Sequence, residues 1–359
     1  MSLLSKKILF ASLVFALAGF MLWRFLPRLP GRTPIAQREF TDELVAGRPI
    51  KVIGPDHATI FLVGDIMLSR NVAAAIAKAR DPLLPFRALG DLLLSGDLSV
   101  ANLESPFSGN SVITPSGSLV FNAPTSTIAG LALYNFKILN LANNHALDQG
   151  EAGAVFTRRI LHDQAIATYG TGENLDEAWQ PITVELGGAT IAFLGASYAS
   201  YNDGGKTSNE YVARIDDSDR LRTGVAAARE IADVVIVTMH AGTEYTTRPN
   251  DAQIAFAHAA IDAGADLVVG HHPHWVQTLE KYRDKYIFYS LGNFIFDQEW
   301  SPKTKQGLII KLSLENKRLQ FADLIPIELE NYCCPRQATE PEAKKILQNI
   351  SATTSRFRL

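Results

Sequence analysis

Five of the eight histidines in this chain, His145, His240, His271, His272 and His274, fall in three short segments that each follow an apolar run. The segments are FKILNLANNHALD (136–148), DVVIVTMHAGTEY (233–245) and ADLVVGHHPH (265–274). Two upstream segments share the form with acids in place of histidine: TIFLVGD, ending at Asp65, and LSVANLES, containing Glu104. In an open α/β sheet, ligands collect beyond the carboxyl ends of the strands, so five such ends bearing Asp, Glu, Asn and His predict one shared polar crevice. Asp65 taken alone reads as a helix N-cap. The same placement at Glu104 and at Asn144, with His145 beside it, moves the reading to a cation site, because a carboxylate at the end of a buried strand is costly unless it is hydrated, paired or metal-bound.

His272 and His274, separated by Pro273, both aim into the crevice if their loop is extended, which turns His271 away. His240 completes the donor set, with Gly242 allowing close backbone approach and Glu244 nearby. Mixed oxygen and imidazole donors suit manganese, iron or zinc, one ion or two, better than calcium or a thiolate-selecting metal.

The elements that must carry these residues read as repeated strand and helix units. Strands at ATIFLVG, 98–103 and FKILNLA alternate with helical patterns at NVAAAIAKA, 86–94, 125–134 and 150–164. PITVEL and TIAFLGAS around Gly187-Gly188 predict a hairpin. Helices at 219–231 and 250–263 lead into DVVIVTMH and ADLVVGHH. Residues 107–124 read as a loop over the sheet, and 197–217 as a lid or substrate loop. The β-rich last third predicts a second, mixed or antiparallel sheet, and the tail after Asn331 a short polar helix with a disordered end. A single large domain over 58–330 follows, with 27–57 as a Pro, Gly and Arg rich linker and 331–359 as a tail.

At 359 residues and 47% hydrophobic content the chain can bury a full core. A net charge of −3 and a pI near 6.3 supply no basic field, so nucleic acid is not an expected partner. Cys333 and Cys334 give no disulfide framework and no zinc pattern; two incidental thiols is the reading preferred over a vicinal disulfide. Near the N-terminus, Lys6 and Lys7 precede an uncharged stretch from Ile8 to Trp23. As a helix it spans roughly 24 Å, against about 30 Å of hydrocarbon, unless Arg24 snorkels and Phe25 and Leu26 are included. A signal anchor over 1–26 is preferred; a signal peptide cleaved behind Ala16-Leu17-Ala18 and a buried helix are the alternatives. Arg24, Arg28, Arg32 and Arg38 outnumber the two lysines, against the positive-inside rule for an exported domain, although a single-pass, extracytoplasmic arrangement is the expectation.

GDIMLSR, VANLESP, LANNHALDQG, MHAGTEY, VVGHHPHWVQ and YSLGNFIFD, in this order over residues 59–297, resemble the capsule-synthesis CapA family. That family is associated with poly-γ-glutamate biosynthesis and is itself similar to calcineurin-like metallophosphoesterases. The resemblance implies a four-layer α/β/β/α sandwich with metal-binding loops at one edge. It implies Asp65 as a ligand of the first metal, Glu104 in the bridging position, Asn144 on the second metal, His240, His272 and His274 as the remaining imidazoles, and His145 as general acid or transition-state stabiliser. Two positions depart from the phosphoesterase pattern: Met67 stands where a histidine is usual, and Glu104 where Asp is. Ala241 replaces the aromatic residue common in the capsule family.

Two functional expectations result. One is a membrane-anchored, metal-dependent hydrolase of capsule or poly-γ-glutamate assembly, acting on a phosphoester, an acyl-phosphate or an amide-linked, polyanionic polymer. The other is a non-catalytic scaffold or polymer-binding subunit working with membrane polymer-synthase subunits. Either expects positive charge at the crevice, from metal or from residues such as Arg70 and Arg248, although Arg70 by itself reads as a helix-start residue. The absence of a GxxxxGK[ST] segment removes nucleotide-driven ligation by this chain alone.

Overall fold

HATIFLVGDI is apolar at nearly every position because the strand it forms is covered on both faces, the usual situation of a parallel strand. It is β2 (His57–Ile66), and it lies at the centre of the larger of two sheets. The computed structural model describes residues 50–52, 56–110, 112–198, 210–350, 352 and 354–359. The proposed membrane segment within 1–26 lies outside these residues, as do most of the 27–57 linker and residues 199–209 of the expected lid. Among the described residues no helix is long and apolar enough to cross a membrane.

In the larger sheet β2 pairs in parallel with β3 (Leu98–Leu103), followed by β4 (Phe136–Asn140) and β5 (Ala167–Tyr169). On its other side come the antiparallel strands β13 (Gln306–Glu315), β14 (Arg318–Glu330) and β15 (Cys334–Gln337). The smaller sheet has the order β1 (Ile50–Val52), β6 (Ile182–Leu186), β7 (Ala189–Ser197), β8 (Val234–His240), β9 (Leu267–His271), β11 (Lys285–Phe288), β10 (Leu279–Tyr282). The β6–β7 hairpin turns at Gly187 and Gly188, both at positive φ as a two-residue hairpin turn requires.

Three apolar layers follow from strand alternation. Ile60 and Leu62 of β2 face Ile191, Ile236 and Leu267, joining the two sheets. Phe61 and Val63, on the opposite face of β2, meet α1 (Arg70–Ala79), α2 (Ile128–Leu133) and α3 (Gly150–His162) through Val72, Leu131 and Leu161. On the far side of the smaller sheet, Val235, Val237 and Val268 meet α5 (Ser218–Ile231) and α6 (Asp251–Ala263) through Val225, Ala257 and Ile261. Between α3 and α5 lies one short helical turn, α4 (Leu175–Ala178). Both sheets are therefore mixed, within an α/β architecture.

Several expectations need correction. The β-rich last third does not build a separate sheet: β10 and β11 extend the smaller sheet beside β9, while β13 pairs with β2 and β14 with β13. Alternation within a strand reports which face is buried, and carries no information about its neighbour. The helix expected over 86–94 is two 3-10 turns, Leu84–Leu89 and Leu93–Ser95, separated at Gly90, which has positive φ. The short polar helix expected after Asn331 is present, at 340–349, but strands on both sides of it join the larger sheet in place of a disordered end. β15 and β16 (Arg356–Arg358) pair with β14, and α7 (Glu340–Asn349) sends Ile346 into the layer between the sheets. β1, inside the expected linker, pairs with β6. Cys333 and Cys334 are joined in a disulfide rather than standing as two thiols.

One segment ties the sheets together at the edge where the acidic and histidine residues lie. After β11 the chain crosses between the sheets, Leu291 N–H donating to Gly270 O at 3.1 Å and Asp65 N–H to Gly292 O at 3.0 Å, then forms β12 (Asn293–Ile295) against β2. The crossing is tight enough to require glycine beneath it. A Cβ on Gly270 would stand 1.9 Å from Tyr289 O, and one on Gly64 would stand 2.0 Å from Gly292 O. Backbone cannot yield as a side chain does, so Gly64→Ala or Gly270→Ala is expected to lower stability by about 1–3 kcal/mol. Thermal melts followed by circular dichroism check this; a melting temperature equal to that of the parent would show that the crossing is not tight.

Candidate metal centre

Every donor expected of the metal site sits at or just beyond the carboxyl end of a strand that has a parallel neighbour. Asp65 lies near the end of β2, Glu104 directly follows β3, and Asn144 and His145 follow β4. His240 ends β8, and His272 and His274 follow β9. Strand register sets their mutual approach, since Asp65 pairs with Asn102 across β2–β3 and His240 with His271 across β8–β9. The tertiary fold brings them into two groups of three buried donors, Glu104 with His240 and His272, and Asp65 with Glu104 and His274. Within each group the donor atoms lie within 4.8 Å of one another, and Glu104 belongs to both. Asn144 joins the first through Oδ1, 2.7 Å from His240 Nε2.

The electrostatics of this cluster are unbalanced in a way that calls for cations. Glu104 is fully buried and neither of its carboxylate oxygens has a hydrogen-bond partner among the described residues. Burial, and then the charge of Asp65, push its pKa well above the ordinary carboxylate value. Asp65 is equally buried. Burial raises its pKa, but the neighbouring imidazoles, His271 first, more than offset that and hold it well below the usual carboxylate range. Burial lowers the imidazoles in turn: His272 to about 3, with the charge of His274 contributing, and His240 and His274 also downward. They are neutral at pH 7, the form that ligates metal. A buried carboxylate without a partner among the described residues, shared between a pair of neutral imidazoles on one side and Asp65 with one imidazole on the other, fits one or two divalent cations of the manganese, iron or zinc type.

A shell of amides and carboxylates orients the donors, as is usual around metal ligands. Asn293 Oδ1 lies 2.9 Å from His274 Nδ1 and so directs Nε2 inward. Asn102 donates to Asp65 Oδ1 at 2.7 Å and contacts His240 Nδ1 at 3.1 Å, while its own Oδ1 accepts from Asn140 and Asn143. Asn143 Oδ1 accepts the His145 backbone N–H at 3.0 Å. His145 Nδ1 is 2.7 Å from Asp148 Oδ2, which leaves Nε2 toward Glu104 Oε1 at 3.8 Å. The imidazole stacks on Phe121, centroids 3.9 Å apart, and the Arg70 guanidinium lies 4.7 Å from the centre of the same ring. The 107–124 loop thus reaches the site and holds His145 in place.

Several residues differ from expectation. His271 does not face away: its Nδ1 is 3.4 Å from Asp65 Oδ1. The extended loop that would have turned it outward is absent, because His272 and His274 have φ of 98° and 58°, and left-handed residues break the alternation of an extended chain. Asp65 is no helix cap, since α1 begins at Arg70 behind Ser69. Met67 is fully buried, with Sδ accepting the Ser69 N–H at 3.1 Å, so the group containing Asp65 has no donor at that position. Glu244 is exposed and belongs to neither donor group. Arg70 opens α1, as its helix-start reading expects, and is buried and ion-paired with Asp297 instead of lending charge to the crevice. Arg248 is exposed, its carbonyl accepting from Gln277 Nε2, which also bonds Thr246 and so pins the loop after β8. Asn102, Asn140 and Asn293 were missed in the sequence. Their signal was a polar amide inside or beside an otherwise apolar strand.

The family model described as bacterial capsule synthesis protein PGA_cap matches residues 59–298. The chain is 31% identical over 299 residues to the PGA biosynthesis protein CapA of Bacillus subtilis, covering 82% of this chain and 76% of that protein. It is 28% identical over 318 residues to the capsule biosynthesis protein CapA of Bacillus anthracis, covering 87% of this chain and 77% of the relative. Among solved structures, the NAD nucleotidase of Haemophilus influenzae aligns with a TM-score of 0.45 at 11% identity, over 83% of this chain and 63% of that one.

Glu104 supplies a direct test of the centre. Because it holds a proton more tightly folded than unfolded, its contribution to stability is complete below the ordinary carboxylate pKa and is lost as pH rises through the raised value. Without a cation the ionised carboxylate is uncompensated, so raising the pH costs the metal-free protein stability. Metal-free Glu104→Gln is expected to melt higher than the metal-free parent, by on the order of 1–3 kcal/mol. Added manganese should stabilise the parent and not the variant. Scanning fluorimetry with and without manganese reads both, and equal stabilisation of the two proteins would remove Glu104 from the centre.

Proposed function

The chain belongs to the bacterial capsule synthesis protein family PGA_cap, and from that premise we propose that it acts in capsule or poly-γ-glutamate production as a metal-dependent, metallophosphoesterase-like hydrolase. The observation that supports this reading is the buried, unpartnered Glu104 carboxylate shared between two donor groups beside an oriented histidine. Glu104, His240, His272 and Asn144 would hold one cation; Asp65, Glu104 and His274 would hold the other. Bound there, divalent cations supply Lewis-acid polarisation of a phosphoryl oxygen and a lowered pKa for an attacking water.

The protein's own part is positioning and proton transfer. Asp148 accepts the Nδ1 proton of His145, so the proton that moves is carried on Nε2, the nitrogen facing the donor cluster. Burial raises the pKa of Asp148 and hydrogen bonding to His145 opposes that rise, a pair that keeps the imidazole in one orientation. From Nε2 the proton passes to the departing alkoxide oxygen of a phosphoester. Phe121 fixes the plane of the ring from one face.

Met67 favours a second reading. With a buried thioether where a fourth donor would stand, the group around Asp65 has three protein donors and binds its cation more weakly. A chain that takes up no metal would serve instead as a scaffold or polymer-binding subunit beside membrane polymer-synthase partners. In either role the apolar stretch 8–23 is proposed as a membrane anchor that holds the domain outside the cytoplasm.

Elemental analysis of the purified full chain, paired with phosphomonoesterase and phosphodiesterase assays in added manganese, separates the readings. His145→Ala is expected to retain metal and lose about 10²–10⁴ in turnover. His272→Ala and His274→Ala are expected to lose metal. Unchanged metal content in both of those variants would refute the ligand assignment, and a parent protein without metal under every loading condition would favour the scaffold.

A further inference from the structure

An aromatic ridge leads outward from the donor cluster and has no part in the folding core. The Tyr245 ring stacks beside the His274 imidazole, centroids 5.8 Å apart. Trp300 meets Tyr245 edge-on at 4.7 Å with 81° between the planes, and Trp275 meets it at 6.3 Å. None of the three belongs to an apolar core cluster, and Trp300 is 60% exposed. Exposing an indole forgoes the burial free energy that a core position would give, so such a residue on the path out of a polar site asks for a ligand.

The backbone holds this ridge deliberately. Tyr245 has φ of 61°, a left-handed conformation that is costly for a bulky side chain and that concentrates at functional sites. Its N–H donates to Pro273 O at 2.9 Å, and its Oη accepts from Gln298 Nε2 at 3.3 Å. Gln298 also contacts Asn293, the residue that orients His274, so the ridge and the donor cluster share one support. Lys303 covers Trp275, its ammonium 4.4 Å from the ring centre, leaving the Tyr245 and Trp300 corner as the open one.

We propose that this corner is a subsite for the ring of a ring-bearing phosphoester whose phosphoryl group lies at the donor cluster. The inference rests on the phosphoesterase reading and narrows it. Two perpendicular aromatic planes receive a flat ring well, one by stacking and the other by its edge. Two ring contacts, at 5.8 and 4.7 Å, lead from His274 through Tyr245 to Trp300. A linear γ-glutamyl chain offers no ring, so the occupant is a small phosphoester rather than the finished polymer. A saturated ring shares the burial of apolar surface against these planes but not the stacking.

Phosphonates that cannot be hydrolysed test the subsite. Titration calorimetry on the manganese-loaded full chain compares methylphosphonate, phenylphosphonate and cyclohexylphosphonate. A ring is expected to improve affinity about tenfold over methyl. Trp300→Ala should erase that ratio and Trp300→Phe should restore most of it; the exposure of Trp300 makes both changes tolerable to the fold. A gain with phenyl alone identifies an aromatic ring, and a gain with both rings identifies a ring of either kind, sugars included. Equal affinity for all three ligands, or a ring preference that survives Trp300→Ala, overturns the subsite while leaving the phosphoesterase reading standing. Methylphosphonate that fails to bind refutes that reading and the subsite with it.

Discussion

Two carboxylates with no access to water lie close together in this molecule, and the surrounding structure is organised by that fact. Asp65 and Glu104 end neighbouring parallel strands. A buried charge costs several kcal/mol unless it is compensated, and two of the same sign raise the cost further. Asp65 is compensated from within the chain, by Asn102, by the His272 backbone N–H, and by three imidazoles. Glu104 is not. The protein has therefore built half of an electrostatic arrangement and left the other half to a cation, an arrangement in which metal binding and stability are linked.

Donors on five strand ends can meet only if the two sheets are held in a fixed relation. The crossing from β11 to β12 does this. It passes over Gly270 in one sheet and Gly64 in the other, where any side chain would collide with backbone. It then delivers Asn293 opposite Asp65 in register, within reach of His274. The motif YSLGNFIFD thus carries both a structural clamp and a ligand-orienting amide, and the glycines of GDIMLSR and VVGHHPHWVQ are its counterparts.

The site is asymmetric in its support. One donor group gains Asn144 beside Glu104, His240 and His272, whereas the other lacks a donor at Met67, which is committed to the apolar layer and to the Ser69 N–H. His145 is held from three sides, by Asp148, by the backbone bond to Asn143 and by Phe121, a degree of constraint that suits a group meant to act on a bound molecule. Arg70, considered as a source of positive charge, is instead spent on Asp297 and on the Phe121 ring, where it steadies the same stack.

What the sequence determined by itself was local. Apolar runs ending in Asp65, Glu104, Asn144, His240 and His272 identified the strands and the end at which they carry polar groups, because a buried strand shows its period and its terminus in one dimension. The hairpin at Gly187-Gly188 and the helices before β8 and β9 were legible for the same reason. Tertiary structure alone decided which strands became neighbours, and so sent β13 and β14 to the larger sheet and β10 and β11 to the smaller. It decided that His271 turns toward Asp65, because left-handed residues at His272 and His274 override the alternation that spacing suggests. It also decided that Asn102, Asn140 and Asn293 are supports of the site and that Tyr245, Trp275 and Trp300 form a ridge beside it. Those relations join residues far apart in the chain, and no periodicity within a strand encodes them.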